Sequence, residues 1–121
     1  MTDYIKKILL VDDDPADRAL FARRIRKLGF EVVAVGTAEA AMAVVVEGQI
    51  GCLITDQSMP VTGNELASIA GTIRKDMNII VLSGHDAPPE QLPEGVTFVR
   101  KDDPETLLHA ISACMEKWRT D

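Results

Sequence analysis

The stretch KILLVDDDP, residues 7–15, joins a wholly apolar run to three consecutive carboxylates and a proline. Lys7–Val11 is continuously hydrophobic rather than alternating, the pattern of a parallel strand covered on both faces. Asp14-Pro15 then supplies an N-cap and a first-turn proline, which starts a helix immediately after the strand. A buried strand running through an acidic turn into a helix is one βα unit, and the remainder of the chain repeats that unit.

Four more apolar runs follow: Glu31–Val35 (EVVAV), Ile50–Thr55 (IGCLIT), Ile79–Ser83 (IIVLS) and Val96–Val99 (VTFV). Ile, Val and Leu dominate them, as suits a pleated buried surface. Between the runs lies helix punctuation. Gly29 ends the first helix after Leu28, Thr37 caps a second helix that closes at Gly48, and Leu66, Ile69, Ala70 and Ile73 form an apolar stripe on a third. Asp103-Pro104 opens the last helix, with Leu107, Leu108, Ile111, Cys114, Met115 and Trp118 on one face. The connection from His85 to Gly95 holds Pro88, Pro89 and Pro93 and has no apolar periodicity, so the fourth helix is shortened or irregular. The expected architecture is α/β: a single doubly wound five-stranded parallel sheet with helices on both faces.

The chain has 121 residues, enough for one domain with one core. Hydrophobic residues make up 46% and aromatics only 4%, so the core is aliphatic. Thirteen Lys+Arg against nineteen Asp+Glu leave a net charge of −6, which works against direct nucleic-acid binding. No apolar run spans a bilayer and no secretory signal is visible, so the expectation is a cytoplasmic protein without membrane contact. Cys52 and Cys114 lack metal-like spacing and read as buried, reduced thiols.

Ligands of an open parallel sheet gather outside the carboxyl ends of its strands. The residues arriving there are Asp12, Asp13 and Asp14 from the first strand, Asp56 from the third, Ser83 from the fourth and Lys101 from the fifth. Clustered carboxylates repel, and a hard divalent cation such as Mg²⁺ relieves that repulsion. A cation beside a carboxylate also neutralises an incoming phosphoryl group and lets the carboxylate attack it, while a lysine and a hydroxyl bind the remaining oxygens. The set suits formation of an aspartyl phosphate.

VDDDP at 11–15, DQSMP at 56–60, Ser83 after IIVL and Lys101 after FVR together resemble the receiver domain of two-component response regulators over essentially the whole chain, residues 1–121. The resemblance implies a flavodoxin-like (βα)5 fold and a non-enzymatic signalling role. It implies that Asp56 accepts a phosphoryl group from a sensor histidine kinase or histidine phosphotransfer protein. Mg²⁺ would be held by Asp12, Asp13, Asp56 and the backbone carbonyl of Ser58. Ser83 and Phe98 match the family's switch residues and Lys101 its phosphoryl-contacting lysine, with a downstream protein target reading the switched surface. The basic run at residues 23–27 is a candidate kinase-docking surface, and His85 lies beside the expected pocket.

Three departures accompany the resemblance. Lys101 is followed by Asp102 where the family usually has proline; a non-proline cis bond costs ~2.5–4 kcal/mol, so a trans bond is expected. Gly63 comes one residue early after Asp56, which tightens that loop. The segment between Ser83 and Lys101 is several residues short, so the usual dimer through residues 85–100 is not expected. Two other readings remain at this point. One is a pseudo-receiver that binds partners without phosphorylation. The other is a haloacid-dehalogenase-type phosphatase with Asp12 as nucleophile and Asp14 as acid/base, which leaves Asp56 unexplained.

Overall fold

The computed structural model describes residues 7–48, 50–73, 77–84 and 96–119. In chain order the elements are β1 (Lys7–Val11), α1 (Pro15–Arg26), β2 (Glu31–Val35), α2 (Ala38–Glu47), β3 (Cys52–Asp56), α3 (Gly63–Ile73), β4 (Asn78–Ser83), β5 (Val96–Arg100) and α4 (Pro104–Arg119). The strands form one sheet in the order β2-β1-β3-β4-β5, and all four ladders are parallel. The expected five-stranded flavodoxin-like sheet is therefore present. The shortened fourth helix, together with His85 and the residue 85–95 connection, lies outside the described residues.

Alternation along the strands divides the core in two. Ile8, Leu10, Ile54, Ile80 and Leu82 face Phe21 and Ile25 of α1 and Leu107 and Ile111 of α4. Leu9, Val11, Leu53 and Val81 face Ala41 and Val45 of α2 and Leu66, Ala67 and Ala70 of α3. Every residue of β3 is buried, which explains why its run reads as continuously apolar.

The caps act as the sequence suggests. Asp14 accepts the amides of Ala16 and Asp17, Thr37 accepts that of Ala40, and Gly48 closes α2 with φ 80. β4 starts one residue earlier and β5 ends one residue later than expected, at Asn78 and Arg100, and three further details differ. α1 ends at Arg26, and Lys27 to Gly29 form its closing turn, with Gly29 at φ 95. β3 starts at Cys52 rather than Ile50: Ile50 is buried without joining the ladder, whereas Asp56 pairs with Leu82. On α3 the buried line is Leu66, Ala67 and Ala70, while Ile69 and Ile73 are exposed. Two alanines allow α3 to lie close to the sheet on a face rotated from the one its larger side chains mark.

Cys52 is buried, and its Sγ donates to the Leu53 carbonyl at 3.9 Å. The side chains of Cys114, Met115 and Trp118 lie outside the described residues. Among the described residues no helix is long and apolar enough to cross a membrane.

Candidate phosphoryl-transfer site

The order β2-β1-β3 places β1 and β3 side by side at the point where the connections reverse direction, and a crevice opens beyond their carboxyl ends. β1 pairs Val11 with Thr55 of β3, so Asp12 and Asp56 leave the sheet at the same level. Asp12, Asp56 and Ser83 are all buried. Asp13 is exposed, yet carboxylate oxygens of Asp12, Asp13 and Asp56 lie within 4.8 Å of one another. An all-oxygen donor set of three carboxylates at that spacing fits a hard divalent cation. A cavity of about 300 Å³ lined by Asp13, Gly36, Thr37, Met59 and Pro60, among others, opens on the Asp13 flank.

Lys101 supplies the cation of the site. Its amide donates to the Ser83 carbonyl at 2.8 Å, which fixes the chain as it leaves β5 beside the end of β4. The side chain then reaches over the sheet edge. Its Nζ lies 3.2 Å from Asp12 Oδ2, 3.3 Å from Asp56 Oδ2 and 3.0 Å from Asp17 Oδ2. Burial pushes the Asp12 carboxyl above its ordinary value, although the Asp14 amide and Lys101 both oppose that shift. Burial alone would lower Lys101, but hydrogen bonds to Asp17 and Asp12 outweigh it and hold the ammonium above the ordinary lysine range.

Local hydrogen bonds orient the carboxylates. The Asp14 amide donates to Asp12 Oδ1 at 3.0 Å, and the Ser58 amide donates to Asp56 Oδ1 at 3.3 Å. Arg18 braces the same turn from α1, its Nη1 donating to the Asp12 carbonyl at 2.8 Å. That approach requires Gly36, because a Cβ there would lie 2.7 Å from the guanidinium nitrogen. The side chain of Asp14 is committed to capping α1.

The structure thus brings together Asp12, Asp13, Asp56 and Lys101, with Ser83 joined to Lys101 through the backbone. Phe98 stands apart from this cluster. It is partly buried on the α2/α3 side of the sheet and pairs in register with Val81. In the basic run Ile25 is buried, Arg26 donates to the Val32 carbonyl and Arg24 lies over the Phe21 ring. Two residues of the site were not anticipated from sequence, Asp17 and Arg18. Both sit in the first turns of α1, where an Asp-Arg pair reads as solvated helix surface.

The response regulator receiver domain model matches residues 8–112, and the chain belongs to that family of signalling modules. It is 33% identical to the transcriptional regulatory protein FixJ of Rhizobium meliloti over 113 residues, covering 89% of this chain and 54% of the relative. The chain spans about half or less of the curated relatives it matches. Among solved structures, a response regulator receiver domain protein from Clostridium thermocellum superposes with a TM-score of 0.85 at 24% identity, covering 94% of this chain and 97% of that one. The response regulator protein TrrA of Thermotoga maritima, solved in complex with Mg²⁺-BeF, superposes with a TM-score of 0.75 at 24% identity, covering 87% and 97%.

Proposed function

We propose that this chain is a receiver unit over residues 1–121 that takes a phosphoryl group on Asp56 from a histidine of a sensor kinase or phosphotransfer protein. The observation that carries this reading is one ammonium, Lys101, within 3.3 Å of two buried carboxylates at the carboxyl edge of the sheet. A carboxylate oxygen of Asp56 attacks phosphorus, the phosphorus–nitrogen bond to the donor histidine breaks, and the departing imidazole takes a proton. Lys101 and the Ser83 hydroxyl are the groups that bind the phosphoryl oxygens as charge builds on them. Asp12, Asp13 and Asp56, whose carboxylate oxygens lie close together, and the Ser58 carbonyl would hold a Mg²⁺, which would supply charge neutralisation for the incoming phosphoryl group. The Mg²⁺-BeF complex of TrrA supports that choice of ion.

Phosphorylation then favours a conformation in which Ser83 moves toward the phosphate and Phe98 repacks, altering a surface read by a downstream protein in the cytoplasm. Direct nucleic-acid and membrane contact are not part of this reading.

Intact mass after incubation with acetyl phosphate and Mg²⁺ is the test. One added phosphoryl group, lost in Asp56→Asn and lost without metal, is the expected result. Absence of both the adduct and beryllofluoride binding would sink this reading and favour a phosphorylation-independent binding module. Phosphate release that survives Asp56→Asn but stops in Asp12→Asn would instead identify a phosphatase.

A further inference from the structure

Of the three carboxylates around Lys101, two lie in the acidic cluster and one does not. Asp12 and Asp56 have oxygens that a divalent cation would share, and Asp56 is also the proposed acceptor. Asp17 is outside that cluster, on α1, and makes the shortest of the three contacts to Nζ, at 3.0 Å. We propose that Asp17 is the positioning residue for Lys101, holding its ammonium over Asp56 independently of the metal; this role rests on the function proposed above.

Lys101 needs such an anchor because its other two carboxylate contacts, Asp12 and Asp56, are the groups that a cation and the phosphoryl group would engage. It follows an edge strand, its bond to Asp102 is trans, and its amide donates to the Ser83 carbonyl. The four-carbon stem retains large rotamer freedom that would be lost at each transfer if the side chain were loose. Asp17 removes that freedom beforehand, which is how a positioning contact accelerates a reaction. The geometry also leaves the ammonium able to work. It has three N–H groups; with one on Asp17, the others remain directed at Asp12 and the Asp56 side, where phosphoryl oxygens would arrive.

Asp17 is itself held in place. Asp14 accepts the amides of Ala16 and Asp17, and Arg18 ties the same turn to the Asp12 carbonyl across Gly36. Two adjacent residues of one helical turn therefore serve two strand ends, Arg18 the backbone after β1 and Asp17 the lysine after β5. The Asp17 side chain is 39% exposed, at the rim of the site rather than inside it.

The test measures Asp56 labelling by acetyl phosphate at saturating Mg²⁺ in the full chain, comparing wild type, Asp17→Ala, Asp17→Asn, Asp17→Glu, Lys101→Met and the Asp17→Ala/Lys101→Met pair. Asp17→Ala is expected to slow labelling about tenfold, the cost typical of removing a residue that orients another. Asp17→Glu should recover part of that loss, and the midpoint for Mg²⁺ should not move. The loss must disappear in the Lys101→Met background, because there is no longer an ammonium to position. A readout independent of phosphorylation is competitive acetylation followed by mass spectrometry, in which Lys101 should react severalfold faster in Asp17→Ala. Asp17→Asn preserves shape, and its circular dichroism should match wild type. A labelled wild type with Asp17→Ala at the same rate overturns the role of Asp17 alone, as does a loss that persists undiminished in the pair. A wild type that neither labels nor binds beryllofluoride overturns the functional reading and this role with it.

Discussion

Replacing Lys101 with Met removes one charge and keeps most of the stem, so it isolates the electrostatics of the site. Its Nζ lies 3.2 Å from one buried carboxylate and 3.3 Å from another. At an effective dielectric constant of about 20, Coulomb's law gives roughly 5 kcal/mol for each contact before desolvation is counted. Desolvation cancels much of this, and removing one partner of a buried ion pair costs about 3–5 kcal/mol. The Lys101 side chain is 21% exposed at the open edge of the sheet, which lets water replace part of the lost interaction. The lower end therefore applies: about 3 kcal/mol without metal, or a fall of roughly 10 °C in Tm for a domain of this size.

Urea unfolding followed by far-ultraviolet circular dichroism, with and without Mg²⁺, measures the effect. A cation at about 100 times its Kd contributes about 2.7 kcal/mol, so saturating Mg²⁺ should bring the variant nearly to the stability of metal-free wild type. Asp12→Asn added to Lys101→Met should also recover stability, because it removes a buried charge left without a partner. The pH dependence has a definite sign. Asp12 is raised by burial, so its contribution to stability is present below its unfolded value and is lost as pH rises through the higher folded value. Without Lys101 that folded value rises further, and the deficit of the variant against wild type should narrow as the solution is acidified. A loss below about 1 kcal/mol, the range of a surface pair, would refute this account. So would a larger loss that Mg²⁺ leaves untouched.

Three further outcomes follow from the same geometry. Gly36→Ala should cost about 1–2 kcal/mol in urea unfolding, because its Cβ displaces Arg18 from the Asp12 carbonyl; unchanged stability would show that the guanidinium has another resting place. Asp14→Ala should cost about 1 kcal/mol through loss of the α1 cap, and an unaffected midpoint would remove Asp14 from that role. Mg²⁺ affinity measured by titration calorimetry should weaken on acidification, starting above the ordinary aspartate range because the raised Asp12 carboxyl must lose its proton to bind; a profile that begins only near the ordinary range would contradict the effect of burial.

The apolar runs made the sheet legible because strands buried on both faces leave no polar positions to blur them. The site was legible for the same geometric reason: residues that end parallel strands must meet, so Asp12, Asp56, Ser83 and Lys101 could be collected before any coordinates. Asp17 could not. A carboxylate in the first turn of a helix has a sufficient local explanation in the helix dipole, and only its 84-residue separation from Lys101, closed in the folded chain, shows otherwise. The α3 stripe was misread because periodicity reports where large apolar residues fall, whereas Ala67 and Ala70 face the sheet by virtue of being small.

Strand order also ranks the parts of the site by how readily they come loose. β3, carrying Asp56, is hydrogen-bonded on both sides, and its residues are wholly enclosed. β5, carrying Lys101 at its exit, has a neighbour on one side only and is much less covered. Amide exchange under native conditions should therefore release β5 well before β3. An opening at that edge that also broke the Asp17 contact would carry the ammonium away while the carboxylates stayed with the enclosed strands. An excess of negative charge would then stand at the rim, open to a cationic group from outside.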